Sequence, residues 1–352
     1  MRTTRPTFLA GMVVPSMIAA GLACPTAAAT NSPIELRTAL ATLMERLPGR
    51  FDNAAQLFFE RETKTPEPEQ HGRVFRAFVR ADAPALGGTV LVGSVRYGGD
   101  AGQFDPAEFQ VWTLAVDAER KAIRMSPRRL REPARYQARA LDPAAFQALT
   151  PADLLPAEGA AGCDVFWRKY GEDLRGVTGP GECRRRSTSL KKDIDWSWEY
   201  ILTDTELWID FAGRDATGRI VSGRADQVHW RLGRARDFEC LVGYRPPDGS
   251  PPQFDNGPHI HDRGGVLTWK TKAPAERTFQ YELLRGLWPS NSGRNFEDLL
   301  RVSLYDVDSS DPKQRRLIGV GWSSAASDRA SVSNDTYNVR CKLFDPSAPP
   351  PK

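Results

Sequence analysis

The amino-acid sequence predicts a mainly β protein: an antiparallel barrel with a helix in front of it and a small β-sandwich behind it. Ten short segments between residues 56 and 232 alternate polar and apolar side chains, as strands with one buried face do. Just before them, apolar residues recur at helical spacing. Residues 245–252 are dense in turn formers and predict the joint between the two units.

The first residues predict export. Arg2 and Arg5 precede the apolar run 8–24, and Ala27-Ala-Ala29 offers a small-x-small cleavage site. The run is shorter than the roughly 20 apolar residues that a membrane span needs. We therefore expect a signal peptide at residues 1–29 and a secreted or periplasmic protein. A lipoprotein attached at Cys24 is the alternative, because this cysteine lies at the end of the apolar run.

The charge balance argues against a nucleic-acid partner. The chain has 48 Lys and Arg against 44 Asp and Glu, with a formal net charge of +4. Removing the leader takes away two arginines and no acid, which lowers the net charge to about +2. Both signs are mixed along the chain, so no basic footprint for nucleic acid is expected, and no further membrane span.

Four cysteines remain after cleavage, and four cysteines allow three pairings. Their positions along the chain favour Cys163 with Cys183 and Cys240 with Cys341. A four-thiolate zinc site is the alternative. It is disfavoured because none of the four is in a C-x-x-C pair and an exported protein folds in an oxidising compartment.

The barrel unit is expected over residues 32–236. Ser32-Pro-Ile-Glu35 predicts a helix start, and leucines then recur at positions 36, 40, 43 and 47. Asp142-Pro and Thr150-Pro predict two short helices that interrupt the sheet. The predicted strands are residues 56–61, 73–81, 89–97, 108–116, 122–130, 164–170, 188–190, 196–203, 206–211 and 220–232.

The sandwich unit is expected over residues 237–345, followed by a disordered tail at 346–352. Residues 299–308 followed by 317–320 are similar to a strand, calcium loop and strand of a C2 domain, with Asp306 and Asp308 as calcium-ligand candidates. An Asp-x-Asp turn between two ordinary strands is the favoured interpretation. His259 and His261 would lie on one face of a strand, but a polar loop is favoured over a metal site.

Three motifs resemble the CpcT/CpeT family of phycobiliprotein chromophore lyases. They are Gly49-Arg-Phe-Asp-Asn-Ala-Ala-Gln56, the Gly162-Cys163 and Cys183 pair, and Gly213-Arg-Asp-Ala-Thr-Gly218 followed by Ser222-Gly223. The resemblance covers residues 35–234. It implies a calycin- or lipocalin-like barrel that holds an open-chain tetrapyrrole (a bilin) and presents it to a cysteine of an acceptor protein.

The resemblance also points to ligand-binding residues. Family members carry an Arg-Gln-Arg run on a central strand, and the stretch here that aligns with it is Glu108-Phe-Gln-Val-Trp112, without either arginine. Gln110 and Trp112 are therefore candidate bilin contacts. The alternative is a non-enzymatic envelope protein that binds an amphipathic ligand or another protein and keeps only the fold.

The chemistry of a bilin points to further candidate ligand-binding residues, independently of the resemblance. A barrel that binds a bilin needs an aromatic wall for the planar pyrroles and fixed cations for the two propionates. Tryptophans at positions 112, 167, 196, 198, 208 and 230 supply aromatics. Arg73, Arg76 and Arg96 are the candidate carboxylate partners, with Arg80 a further arginine of the same region. No nucleophile, base or cofactor motif is found, so no catalytic residue is assigned.

Overall fold

The computed structural model describes residues 33–156, 162–179, 181–187, 190–274, 276–290, 292–307 and 314–345. The predicted signal peptide, Cys24, Asp308 and the tail 346–352 lie outside these described residues.

Thirteen strands make up the first sheet. They are β1 (Gly49–Asp52), β2 (Val74–Ala81), β3 (Thr89–Tyr97), β4 (Gln103–Phe104), β5 (Gln110–Asp117), β6 (Ala122–Arg129), β7 (Val165–Tyr170), β8 (Asp173–Thr178), β9 (Cys183–Arg186), β10 (Asp193–Leu202), β11 (Glu206–Arg214), β12 (Ile220–Gly223) and β13 (Trp230–Arg234). Ten of them pair in the order β13-β1-β2-β3-β5-β6-β7-β8-β10-β11, all antiparallel. Because β11 pairs with both β10 and β13, the ten strands close into a barrel. The predicted mainly β, antiparallel barrel is confirmed.

The helix α1 (Pro33–Arg46) fills one end of the barrel. Leu36, Leu43 and Leu47 are buried in the barrel core, as their helical spacing predicted. The helix contacts β5, β6 and β7, so the barrel interior at that end is packed with side chains.

Outside the barrel, residues 130–155 cover the face formed by β2, β3 and β5. This region contains α3 (Ala134–Gln137) and the predicted short helical turns Pro143–Phe146 and Pro151–Asp153. The Asp142 carboxylate accepts a hydrogen bond from the Ala144 amide and caps the first turn. Phe146 and Leu149 are buried against the outward side chains of the sheet.

The strand predicted at residues 56–61 is wrong, because this segment is the helix α2 (Ala54–Glu62). Ala54 and Phe58, four residues apart, share the helix face that packs on Leu284 and Trp288 of the second unit. Leu284 and Trp288 are distant from α2 in sequence, so the nine residues of α2 alone do not predict this contact. The predicted strand 220–232 is likewise two strands, β12 and β13, separated by a loop.

The second unit is a sandwich of two four-stranded antiparallel sheets. Its strands are β14 (Asp237–Tyr244), β15 (Gln253–His261), β16 (Arg263–Lys270), β17 (Thr278–Pro289), β18 (Phe296–Val307), β19 (Arg315–Ser324), β20 (Arg329–Ser333) and β21 (Tyr337–Leu343). The sheets have the orders β15-β14-β21-β20 and β16-β17-β18-β19, and buried side chains from both fill the space between them. Residues 245–252 connect β14 to β15 inside this sandwich, so they form a hairpin loop and the predicted joint there is wrong.

Both predicted disulfides are present. Cys240 on β14 lies directly opposite Cys341 on β21, with 4.0 Å between their Cα atoms. Cys163, just before β7, is bonded to Cys183, the first residue of β9. These bridges are what an oxidising compartment favours.

Candidate functional site

A cavity of about 230 Å³ lies in the half of the barrel away from α1. Its lining comes mainly from β2, β3, β10, β11 and β13, and from the turn between β4 and β5. The lining residues are Val74, Arg76, Val95, Tyr97, Asp105, Glu108, Trp196, Trp198, Ile209, Phe211, Ser222, Trp230 and Leu232. Strand alternation explains this set, since residues two apart on each strand point to the same side of a sheet.

One wall of the cavity is aromatic. Trp196 and Trp198 follow each other on the inner face of β10, and their rings stack with centroids 5.7 Å apart at 17°. Phe211 and Trp230 stack likewise, with centroids 5.2 Å apart at 14°. Trp198 lies opposite Phe211 in the β10–β11 register, so the four rings form one continuous surface. Such a surface suits a flat, apolar ligand.

Arg76 is the buried cation of this cavity, with a side chain only 11% exposed. Its guanidinium donates to the Tyr200 hydroxyl at 3.4 Å and to the Glu108 carboxylate at 3.2 Å. Its Nε is buried and has no hydrogen-bond partner among the described residues. Burial lowers the pKa of Arg76, but Tyr200 and Glu108 outweigh burial and raise the pKa above its usual value. The group therefore stays charged.

A narrow crevice of about 10 Å³ adjoins the cavity. Its lining residues are Glu108, Gln110, Trp112, Pro127, Cys163, Val165, Arg185, Trp198 and Tyr200. Glu108 and Trp198 line both spaces and so form the boundary between them. Arg185 lies over the Trp198 ring, 5.4 Å from its centroid. Burial lowers the pKa of Arg185, and Arg129 lowers it further, whereas Glu108 raises it.

Three of the five predicted ligand-binding residues lie in this region. Arg76 lines the cavity, and Gln110 and Trp112 line the crevice. Arg96 is on the outer face of β3, where it lies over the Phe104 ring and donates to the Gly102 carbonyl. It therefore does not reach the cavity, and its expected role there is not supported by its position.

Arg73 also lies outside the cavity, because it precedes β2 at the contact between the barrel and the sandwich. It donates to the buried Asp52 carboxylate at 3.1 Å and to the Gly264 carbonyl at 2.6 Å. Its role is therefore to join the two units.

Sequence reasoning missed the polar residues that accompany Arg76. Tyr97, Asp105, Glu108, Arg185 and Tyr200 are all in the cavity or the crevice. Tyr97 and Tyr200 carry a sequence signal, since each is in phase with residues that face the barrel interior. Asp105 and Glu108 are in a turn, where no periodicity predicts direction.

The metal candidates within the described residues have other partners. Asp306 pairs with Arg277 and Arg316. The Nδ1 of His261 accepts from the Arg263 amide, and its Nε2 faces Asp100 at 3.1 Å, while His259 packs against Phe344. Within the described ranges, no three His, Cys, Asp or Glu side chains are grouped to hold a metal ion.

None of the helices in the described part of the chain has the length and apolar character to cross a bilayer.

Comparisons with known proteins found little. No family model matches the chain, and no curated protein matches it. Among solved structures, the chain is similar to one described as the SeMet CRL protein of Arabidopsis. The two share 14% identity over 56% of this chain and 98% of that chain, with a TM-score of 0.39. A likeness of this degree does not identify a function.

Proposed function

We propose that this chain is an exported, CpcT/CpeT-like protein whose barrel binds a planar amphipathic carboxylate of the tetrapyrrole (bilin) class. The observation that carries the proposal is Arg76, a buried guanidinium beside a wall of four aromatic rings. The rings would stack on the pyrroles, and Arg76 would bind a propionate. The three sequence motifs and the two disulfides support the family assignment and export, respectively.

The size of the cavity defines how such a ligand would bind. Its volume of about 230 Å³ is below the roughly 300–1,000 Å³ typical of sites that enclose a drug-sized ligand. The cavity therefore encloses one end of an open-chain tetrapyrrole, and the remaining rings would lie at the mouth. In a lyase, those exposed rings would meet the cysteine of an acceptor protein.

A second candidate is a binding protein without lyase chemistry. The observation that favours it is Glu108, whose carboxylate neutralises Arg76. Glu108 is an acid in the stretch that aligns with the family's arginine-containing run. The two candidates differ in one product. Incubating the bilin-loaded protein with a cysteine-containing acceptor peptide would give a covalent adduct, followed by mass spectrometry, faster than the free bilin does only for a lyase.

Binding is tested by an absorbance titration of the purified protein with biliverdin. We expect a saturable, red-shifted band in the native protein. Arg76→Gln should weaken binding about tenfold or more, because a charge-assisted hydrogen bond in a buried site is lost. Arg96→Gln is the matched control, since it removes an arginine from the outer face of the next strand and should bind as the native protein does. No spectral change in the native protein would contradict the tetrapyrrole proposal.

A further inference from the structure

Glu108 is the acid that Arg76 and Arg185 share at the boundary between cavity and crevice. It pairs with Arg76 at 3.2 Å and raises the pKa of Arg185 against the effect of burial. Asp105, the other carboxylate that lines the cavity, lies in the same turn and accepts a hydrogen bond from the Ala107 amide. Glu108 thus occupies the position on Arg76 that a ligand carboxylate would need.

The two partners of this ion pair differ in exposure. The Glu108 side chain is 32% exposed, whereas that of Arg76 is 11% exposed. Glu108 can leave the pair and become hydrated, because it lies in the turn between β4 and β5 at the mouth of the barrel. Arg76 cannot, since a buried charge without a partner is strongly unfavourable. Another anion must therefore replace Glu108 when it leaves.

The position of Glu108 also limits the space for a ligand. Together with Trp198 it separates the cavity of about 230 Å³ from the crevice of about 10 Å³. Movement of Glu108 toward solvent would remove one of the two side chains between these spaces. The crevice would then open toward Gln110, Trp112 and Arg185, which already line it.

We propose that the Glu108 carboxylate is a built-in substitute for the ligand's carboxylate on Arg76, and that its exchange joins the cavity and the crevice into one larger binding site. This inference rests on the proposed function. It makes Glu108 the residue that selects ligands with an anionic group. The exchange is balanced in charge, because one carboxylate arrives at Arg76 as another leaves for water. A ligand without an anionic group does not displace Glu108 and is restricted to the cavity.

The test compares Glu108→Gln with the native protein by titration. The probes are biliverdin, biliverdin dimethyl ester and the anionic fluorophore 1-anilinonaphthalene-8-sulfonate. Gln keeps the shape of the side chain but holds Arg76 less strongly, so we expect biliverdin and the sulfonate to bind about fivefold tighter. The ester, which has no free carboxylate, should bind equally to both proteins. Asp142→Asn is the matched control, because it removes an acid that pairs with Arg139 outside both the cavity and the crevice, and it should leave all three affinities unchanged.

The outcomes separate the two proposals. If biliverdin binds the native protein but binds Glu108→Gln no more tightly, the exchange is refuted and the tetrapyrrole proposal stands. If the affinity for the ester rises as much as the affinity for the free acid, the variant has only loosened the site and the exchange is refuted. If biliverdin binds neither protein but the sulfonate binds the variant more tightly, the exchange stands and the tetrapyrrole proposal falls. If no probe binds either protein, both fall.

Near-ultraviolet circular dichroism and thermal unfolding check that the variant is folded. Should Glu108→Gln fail to fold, Glu108→Asp gives the same test, because it shortens the side chain and keeps the charge. It should also bind biliverdin more tightly than the native protein, by a smaller factor. An unchanged affinity in a folded Glu108→Asp protein would refute the exchange.

Discussion

At the scale of single residues, the outer face of the barrel brings two acids together. Glu199 on β10 lies directly opposite Asp210 on β11 in the strand register. Asp210 is 8% exposed, and its Oδ1 is buried without a hydrogen-bond partner among the described residues. Burial raises the pKa of Asp210, and the nearby Glu199 raises it further, while His229 lowers it. Like charges directly opposite on adjacent strands are unfavourable.

This arrangement predicts that Asp210→Asn stabilises the protein. A carboxyl whose pKa is raised by folding costs stability above its unfolded pKa, and the full cost is present above the folded pKa. At pH 7 the native protein carries this cost and the variant does not. We expect the free energy of unfolding to rise by about 1 kcal/mol at pH 7 and the difference to vanish below about pH 4, measured by urea denaturation.

Asp142→Asn is a control of opposite sign. Hydrogen bonds from Arg139 and from the Ala144 amide lower the pKa of Asp142, so its charged form favours folding. This variant should be no more stable than the native protein at pH 7. An Asp210→Asn protein that is equally stable or less stable than the native protein at pH 7 would contradict the prediction.

The arginines show what the sequence can predict about single residues. Arg76 and Arg96 both lie on strands predicted from alternation, β2 and β3, and the strand bounds differ from those observed by no more than one residue. Which face of each strand is internal was not fixed by the pattern, because β2 has apolar residues on both faces. The outward apolar positions of β2 are covered by residues 130–155, which the sequence predicted only as an interruption of the sheet. The direction of Arg76 therefore required the structure.

At the scale of elements, helix α1 determines which end of the barrel is filled. Leu43 is fully buried in the barrel core, whereas Ile34 on the same helix is 76% exposed. The sequence predicted this helix from its Ser-Pro start and from the leucine spacing, since leucines on one face need a surface to cover. It predicted α2 wrongly as a strand. A segment of nine residues with adjacent Leu57, Phe58 and Phe59 is too short to distinguish the helical period of 3.6 residues from the strand period of two.

The packing of α1 predicts a large cost for truncating its buried side. Leu43→Ala should lower the free energy of unfolding by about 2–5 kcal/mol, through lost burial and the cavity that remains. Ile34→Ala, on the exposed side, should change it by less than about 0.5 kcal/mol. Chemical denaturation followed by tryptophan fluorescence measures both. Equal effects of the two variants would show that α1 does not close the barrel in solution.

At the scale of the whole molecule, two covalent bridges constrain loops of very different length. The Cys163–Cys183 bridge has a sequence separation of 20, and the Cys240–Cys341 bridge one of 101. A bridge stabilises the fold partly by restricting the unfolded chain, and this effect grows with the logarithm of loop length. The longer loop includes nearly all of the sandwich, from β14 to β21.

Loop length predicts which of two double variants loses more unfolding free energy. Cys240→Ala with Cys341→Ala should lose about 4–5 kcal/mol of unfolding free energy, and Cys163→Ala with Cys183→Ala about 3 kcal/mol. Calorimetry or urea denaturation of both proteins measures the difference. A larger loss for the 163–183 pair would mean that this bridge acts mainly on the folded state, through the crevice wall that Cys163 forms.

The filled end of the barrel limits how a ligand could enter and leave the cavity. Because α1 is packed at one end of the barrel, a molecule that binds in the cavity would have to enter and leave at the other end. The proposed ligand, with its carboxylate on Arg76, would leave the cavity with that carboxylate last. Under the proposed function, an acceptor protein would have to contact the opposite end of the ligand while the carboxylate was still bound to Arg76, so that transfer would be direct and would not pass through free ligand.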